Sequence, residues 1–166
     1  MKDVYINPTL ARNYAKCNGL VKAEEVIEKR PDPPMSIASW SFLITKYARN
    51  GLGHEALKCF KQMQDAKICP NSVIYASVLK ACGIVRSLEI GEYIDAEVRE
   101  QGLLHKDVVL GTALVDMYSK CGAFEKARDA FEHLPARNVV SWTSLISGYT
   151  QHGHGEEALK CFRQMQ

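Results

Sequence analysis

The chain has 166 residues, 46% of them hydrophobic and 24% charged, a composition that can build a core and argues against intrinsic disorder. Twenty-one Lys and Arg against nineteen Asp and Glu leave a formal charge of +2, so composition announces no broad cationic surface for nucleic acid or lipid. The apolar runs fall well short of the roughly 20 residues a membrane span needs, and the start, Met1-Lys2-Asp3-Val4, carries neither a secretory signal nor an Arg- and Ser-rich transit peptide.

Taken in chain order, the sequence predicts pairs of helices. A first unit, residues 3–36, is marked by Leu10, Tyr14, Lys16-Cys17, Lys22-Ala23 and Pro31. In the second, residues 37–71, Trp40, Leu43, Ile44 and Tyr47 fall at i, i+3, i+4 and i+7, the spacing of one apolar helix face. Gly51 and Gly53 then turn the chain, Ala56, Cys59, Phe60 and Met63 repeat the spacing in a second helix, and Pro70 closes the unit. The third, residues 72–107, keeps an aromatic at Tyr75 and the apolar pair Val78-Leu79, with Ile90-Gly91-Glu92 where the others carry their later signature. The fourth, residues 108–138, echoes the first: Leu114, Tyr118, Lys120-Cys121, Lys126-Ala127 and Pro135 stand 104 residues after their counterparts. Its second helix has Ala127, Ala130, Phe131 and Leu134 on one face. The fifth, residues 139–166, echoes the second after 102 residues, with Ser141-Trp142, Leu145-Ile146, Tyr149, Gly153, Gly155 and Glu157-Ala158-Leu159-Lys160-Cys161-Phe162.

A lone helical hairpin cannot cover its apolar faces, so consecutive units must stack and share one elongated core. The expected architecture is an all-α solenoid of about five helix-turn-helix units. The six cysteines form no Cys-x-x-Cys pair, and four of them recur as repeat positions (Cys17 with Cys121, Cys59 with Cys161). They read as free thiols filling helix contacts in a reducing compartment, with no metal or other cofactor. His154-Gly155-Glu156 matches half of a zinc-deaminase signature but lacks the Pro-Cys-x-x-Cys half. His152 and His154 flank a glycine where the repeat needs its inter-helix turn, and no nucleophile stands at a family-typical spacing from a base. The segment is expected to be no enzyme.

The pattern Trp-x-x-Leu…Tyr, Ala-x-x-x-Phe, Pro is close to the tetratricopeptide signature, which would imply a protein-interaction scaffold. That array keeps a period of about 34 residues, whereas successive unit starts here, Ile37, Ser72, Val108 and Val139, lie 35, 36 and 31 residues apart. Together with Val-Val-Ser-Trp-Thr-Ser-Leu-Ile-Ser-Gly-Tyr at 139–149, Ser-Val-Leu-Lys-Ala-Cys at 77–82 and Gly-Thr-Ala-Leu-Val-Asp-Met-Tyr-Ser-Lys-Cys-Gly at 111–122, the alternation resembles pentatricopeptide repeat proteins of the mixed-length plant class. In that class's terms the units resemble short, standard, long, short and a truncated standard repeat.

The resemblance implies a right-handed solenoid that binds single-stranded RNA, one base per repeat. It also implies a place in the recognition part of a factor for organellar RNA processing or cytidine-to-uridine editing, in mitochondrion or chloroplast, with an accessory editing protein as a further partner. It places one base selector after the first-helix aromatic position and a second before the next unit. These are Ser41 with Asn71, Ala76 with Asp107, Thr112 with Asn138, and Thr143 alone; Pro8 and Ser36 fill the matching places of the first unit. Ala38, Val73, Val109 and Val140 would clamp bases from their faces. Lys16, Arg49 and Lys120 share one place near the end of the first helix and would meet phosphates, a series that Ile84 and Gln151 interrupt. Taken singly, a Ser, Thr or Asn at such a place is more often a helix cap or a solvated polar residue; recurrence at one phase is what favours RNA. An uncovered apolar face at a repeat end adds self-association as an expectation.

Overall fold

The computed structural model describes residues 35–105 and 107–165. Among these residues the chain forms eight helices and no strand: α1 Ile37–Arg49, α2 Gly53–Asp65, α3 Ser72–Val85, α4 Leu88–Glu100, α5 Val108–Lys120, α6 Phe124–Glu132, α7 Val139–Gln151 and α8 Gly155–Met165. The first unit expected from the sequence, with Pro8, Lys16 and Cys17, lies outside the described residues apart from Met35 and Ser36. No helix among those described is long and apolar enough to cross a membrane.

Each hairpin forms because two apolar faces at helical spacing are joined by a turn the backbone can make. Gly51, Gly122 and Gly153 take φ of +79°, +76° and +80° at three of these turns, a region that costs other residues about 1–2 kcal/mol. The hairpin α3–α4 departs from the pattern: Arg86 ends α3 at φ +54° with no glycine present. Trp40, Leu43, Ile44 and Tyr47 of α1 and Ala56, Cys59, Phe60 and Met63 of α2 are buried as their spacing requires. Leu134 is buried too, although α6 stops two residues before it.

Stacking of the hairpins gives a two-layer solenoid. The first helices pack in sequence, α1 on α3, α3 on α5 and α5 on α7, whereas no Cα–Cα approach within 8 Å joins one described second helix to the next. Small residues allow the close layer: a Cβ at Gly148 would lie 2.3 Å from Ser119 Cβ, and one at Gly83 would meet Lys120 Cδ at 3.0 Å. In the open layer, long side chains reach across instead. Lys126 pairs with Glu92 at 2.5 Å, and Arg99 with Asp129 at 3.7 Å. A layer with closer helices is the inner side of a curve, so the first helices line the concave face.

Repeated contacts fix the register between hairpins. Phe60 meets Tyr75 edge-on with centroids 6.4 Å apart, and Phe131 meets Trp142 in the same way at 4.5 Å. Tyr118 donates a 2.7 Å hydrogen bond to the buried carboxylate of Asp95 in the preceding hairpin, which Arg99 also holds at 2.8 Å. The equivalent Tyr149 accepts from Arg128 of the hairpin before it at 3.2 Å. Phe162, at the place of Phe60 and Phe131, is 48% exposed where Phe131 is 4% exposed, because no following aromatic covers it among the described residues.

Candidate nucleic-acid interface

Along each first helix, residues at i, i+3, i+7 and i+11 from the expected clamp position share one helix face as a stripe. The stripes are Ala38, Ser41, Thr45, Arg49; Val73, Ala76, Lys80, Ile84; Val109, Thr112, Asp116, Lys120; and Val140, Thr143, Ser147, Gln151. The first stripe shows what this register builds. Ala38, Ser41, Thr45 and Arg49 line one open concavity of about 470 Å³, together with Lys46, Phe42, Ile37 and Asn71. The residues expected as selectors, clamp and phosphate contact of that unit therefore meet in one place, although Asn71 lies 30 residues beyond Ser41.

The residues expected as second selectors all have a structural task. Ser36, Asn71, Asp107 and Asn138 are the N-caps of α1, α3, α5 and α7. Asn71 Oδ1 accepts from the Ile74 N–H at 3.0 Å, and Asn138 Oδ1 from the Ser141 N–H at 2.9 Å, in a reciprocal box with Ser141 Oγ. Asp107 Oδ1 accepts from Val109 and Leu110 at 3.0 and 3.1 Å. Each bond satisfies a backbone donor left open at a helix start. The capping alternative is thus realised at every one of these positions. It also orients the side chain: with Oδ1 turned to the backbone, an Asn cap carries its Nδ2 donors on the free side, and an Asp cap its second oxygen.

The first selectors differ in access. Thr143 is exposed, Ser41 and Ala76 are half-buried, and Thr112 is only 8% exposed. Thr112 and Thr143 donate their hydroxyl protons to Val108 O and Val139 O at 2.7 and 2.6 Å, which leaves oxygen lone pairs as acceptors. Among the clamp residues Val73, Val109 and Val140 are large exposed apolar side chains, Val109 at 70%, and Ala38 is also exposed. The cation series is uneven. Arg49 is exposed in the concavity, whereas Lys120 is bound to Asp116 at 2.7 Å, and Lys16 lies outside the described residues.

Sequence reasoning missed the third member of each stripe, Thr45, Lys80, Asp116 and Ser147, and Lys46 beside the first. The signal was available as continuation of the i, i+3 spacing by one helical turn. Elsewhere, Cys69, Cys82, Cys121 and Cys161 carry free thiols. Burial, with Cys121 nearby, pushes the Cys82 thiol up to about 12. His152 and His154 stand at the α7–α8 turn, edge-on to the Phe124 ring at 5.2 and 4.9 Å, and among the described residues no three His, Cys, Asp or Glu side chains gather as a metal site.

Stacked hairpins with a continuous stripe on their inner helices define an α-solenoid repeat protein. Family profiles described as PPR repeat match residues 112–139 and 140–166, and one described as PPR repeat family matches residues 35–83; the chain belongs to the pentatricopeptide repeat family. It is 34% identical over 166 residues to the putative pentatricopeptide repeat-containing protein At3g28640 of Arabidopsis thaliana, covering 100% of this chain and 32% of that protein. It is 38% identical over 160 residues to At4g25270, chloroplastic, of the same plant, covering 96% of this chain and 30% of that one. The chain thus spans about a third of the length of these relatives. Among solved structures, the pentatricopeptide repeat protein PPR10 in complex with an 18-nt psaJ RNA element superposes with a TM-score of 0.71 at 19% identity, over 98% of this chain and 26% of that one. PPR10 from maize gives 0.59 at 18%, over 95% and 28%. These likenesses establish the fold.

Proposed function

We propose that the chain binds single-stranded RNA sequence-specifically along its concave face, one base per repeat. The reading rests on the concavity that gathers Ala38, Ser41, Arg49 and Asn71: an apolar contact for a base face, two polar groups for its edge and a cation for phosphate, repeated in register by the stacked first helices. The short, standard, long, short and truncated standard designations of the units belong to this proposal, as does their order along the RNA from 5′ to 3′.

The polarity of the side chains specifies the bases. In the 108–138 unit the little-exposed Thr112 Oγ1 keeps an acceptor lone pair and Asn138 a pair of donors, the complement of an adenine edge with its amino group and ring nitrogen acceptor. Ser41 with Asn71 reads adenine by the same logic. The Ala76 side chain makes no hydrogen bond and leaves Asp107 alone, so that unit discriminates weakly; Thr143, to which no second selector is assigned, takes a purine. The expected core is A, any base, A, purine. As a piece of a longer protein, the chain would supply recognition for organellar RNA processing, including cytidine-to-uridine editing with a deaminase domain or an accessory protein, in mitochondrion or chloroplast. The relatives named chloroplastic support an organellar setting.

The test is binding of this chain to short RNAs that differ only at the two adenines. Loss of affinity at each change is the expected result; indifference to both overturns the assignment. A second reading, a protein-interaction scaffold of tetratricopeptide-like type or self-association, is favoured by one observation: Ile146, Ala158, Leu159 and Phe162 line an open apolar concavity at the α7–α8 end. Salt separates the two, since phosphate contacts weaken steeply with ionic strength and an apolar face does not.

A further inference from the structure

We infer that Asp116 is a positioning residue that withholds Lys120 from the RNA backbone, so that the 108–138 unit grips its nucleotide with less charge than the 37–71 unit. This deepens the RNA-binding reading and rests on it. Asp116 and Lys120 occupy the third and fourth places of the α5 stripe, where α1 has Thr45 and Arg49. Both α1 residues line the concavity that contains Ser41 and Asn71. By repeat register, the equivalent places of the two units carry different electrostatics. In α1, Thr45 is neutral and its hydroxyl is bonded to that of Ser77 at 2.8 Å, while Arg49 is exposed. In α5, Lys120 Nζ lies 2.7 Å from Asp116 Oδ2, and both side chains are half-buried.

The backbone of the neighbouring helix enforces the difference. The Lys120 stem crosses α3 at Gly83, where an added Cβ would stand 3.0 Å from Lys120 Cδ and 3.6 Å from its Cβ. Packed there, the stem keeps its ammonium within reach of the carboxylate one turn back on the same helix. A phosphate approaching this unit meets a neutral pair whose negative member shares the groove, so the counterion release that drives such contacts is reduced. An i, i+4 pair of this kind contributes little to folding, so removing it alters binding while leaving the fold in place.

The experiment uses this chain with a fluorescent single-stranded RNA carrying the A, any base, A, purine core, titrated between about 50 and about 200 mM salt. Asp116→Asn is expected to bind about three- to tenfold more tightly at the lower salt and to steepen the slope of log affinity on log salt by about 0.7, the value for one added phosphate contact on a single strand. Asp116→Glu, which keeps a carboxylate, stays near wild type. Lys120→Gln alone costs less than about twofold, and in its presence Asp116→Asn gives no gain, because the proposed effect passes through the ammonium. Equal helicity by circular dichroism establishes that each variant is folded. If wild type binds and Asp116→Asn changes neither affinity nor slope, the inference is overturned alone. A gain that persists in the Lys120→Gln background overturns it as well, since the carboxylate then acts by repulsion only. If wild type binds no RNA at low salt, the RNA-binding reading itself falls and the inference with it.

Discussion

Asn138 caps α7, and the proposed RNA reading gives it a second role that substitution can separate from the first. Its Oδ1 accepts from the N–H of Ser141, a residue with no exposed surface, at 2.9 Å. Asn138→Ala deletes that acceptor and strands a buried donor, while the return bond from the Asn138 N–H to Ser141 Oγ at 3.1 Å can persist. The loss is about 1–2 kcal/mol, the upper part of the range for a lost cap. Asn138→Asp keeps an oxygen in the cap and places a negative charge at a helix N-terminus, so stability stays within about 0.5 kcal/mol of wild type. Toward RNA the aspartate replaces two outward donors with an acceptor, which suits the ring N–H and amino donors of guanine. One exchanged hydrogen bond of this kind is worth about 1–2 kcal/mol, about five- to thirtyfold in the ratio of affinities for A-containing and G-containing RNA at that nucleotide. Urea unfolding followed by circular dichroism measures the first effect, and competition between the two RNAs measures the second; the ratio matters because the added charge weakens both complexes. An A-to-G ratio unchanged in a stably folded Asn138→Asp chain refutes the reading and leaves the residue as a cap alone.

Other substitutions test the architecture. Gly148→Ala places a Cβ 2.3 Å from Ser119 Cβ and 3.0 Å from its Cα, so α5 and α7 must part. An overpacking cost of about 1–3 kcal/mol, reduced by about 1 kcal/mol of improved helix propensity, should appear in urea unfolding and be partly relieved by Ser119→Gly. Gly51→Ala meets nothing within 4 Å but inherits φ +79°, so the same assay should show a purely conformational loss of about 1–2 kcal/mol. Tyr118→Phe removes the donor to Asp95 Oδ2 within a buried contact, with an expected loss of about 1–3 kcal/mol. Among the described thiols the exposed Cys69 should be the first to react with a disulfide reagent at pH 8, and the buried Cys82 should resist until the chain unfolds. Because folding raises the Cys82 pKa from about 9 to about 12, its contribution is fully present below about pH 9 and declines as pH rises toward 12, since the unfolded chain then gives up a proton that the folded one retains. An alkaline series of urea midpoints checks the sign.

Local patterns were legible in the sequence wherever one helix face decides them. Trp40, Leu43, Ile44 and Tyr47 announce α1 because burial at period 3.6 leaves that spacing, and the helices begin at Ile37, Ser72, Val108 and Val139, where the sequence pattern restarts. What depended on a neighbour was not. The low exposure of Thr112 and the path of Lys120 over Gly83 require the adjoining hairpin. The bond from Tyr118 to Asp95 joins residues 23 apart on different helices. Arg86 hides the turn of its hairpin because a left-handed conformation normally signals itself by glycine, and here an arginine adopts it where the Arg86 and Ser87 N–H groups both donate to Cys82 O. The Asp116–Lys120 pair is an intermediate case. Its i, i+4 spacing is plain in the sequence, but its meaning needed the groove that Thr45 and Arg49 line one unit earlier.

If the caps also select bases, as proposed, their capping role constrains what such an array can read. A residue that must accept a hydrogen bond from the start of the next helix is drawn from Ser, Thr, Asn and Asp, and Ser36, Asn71, Asp107 and Asn138 all belong to that set. Once the cap oxygen is committed, the atoms left over are two donors, one acceptor or little beyond a hydroxyl, so the outward chemistry follows from the choice of cap. The same bond freezes the side chain before RNA arrives, which lowers the ordering cost of recognition. It also ties the phase of the selector to the helix start, so unequal unit lengths of 35, 36 and 31 residues need not disturb it. Length variation falls on the second helices and their loops: α6 has 9 residues where α2 and α4 have 13. The inner layer keeps first helices of 13 or 14 residues throughout, so units of different length can present their stripes to one strand in a common frame.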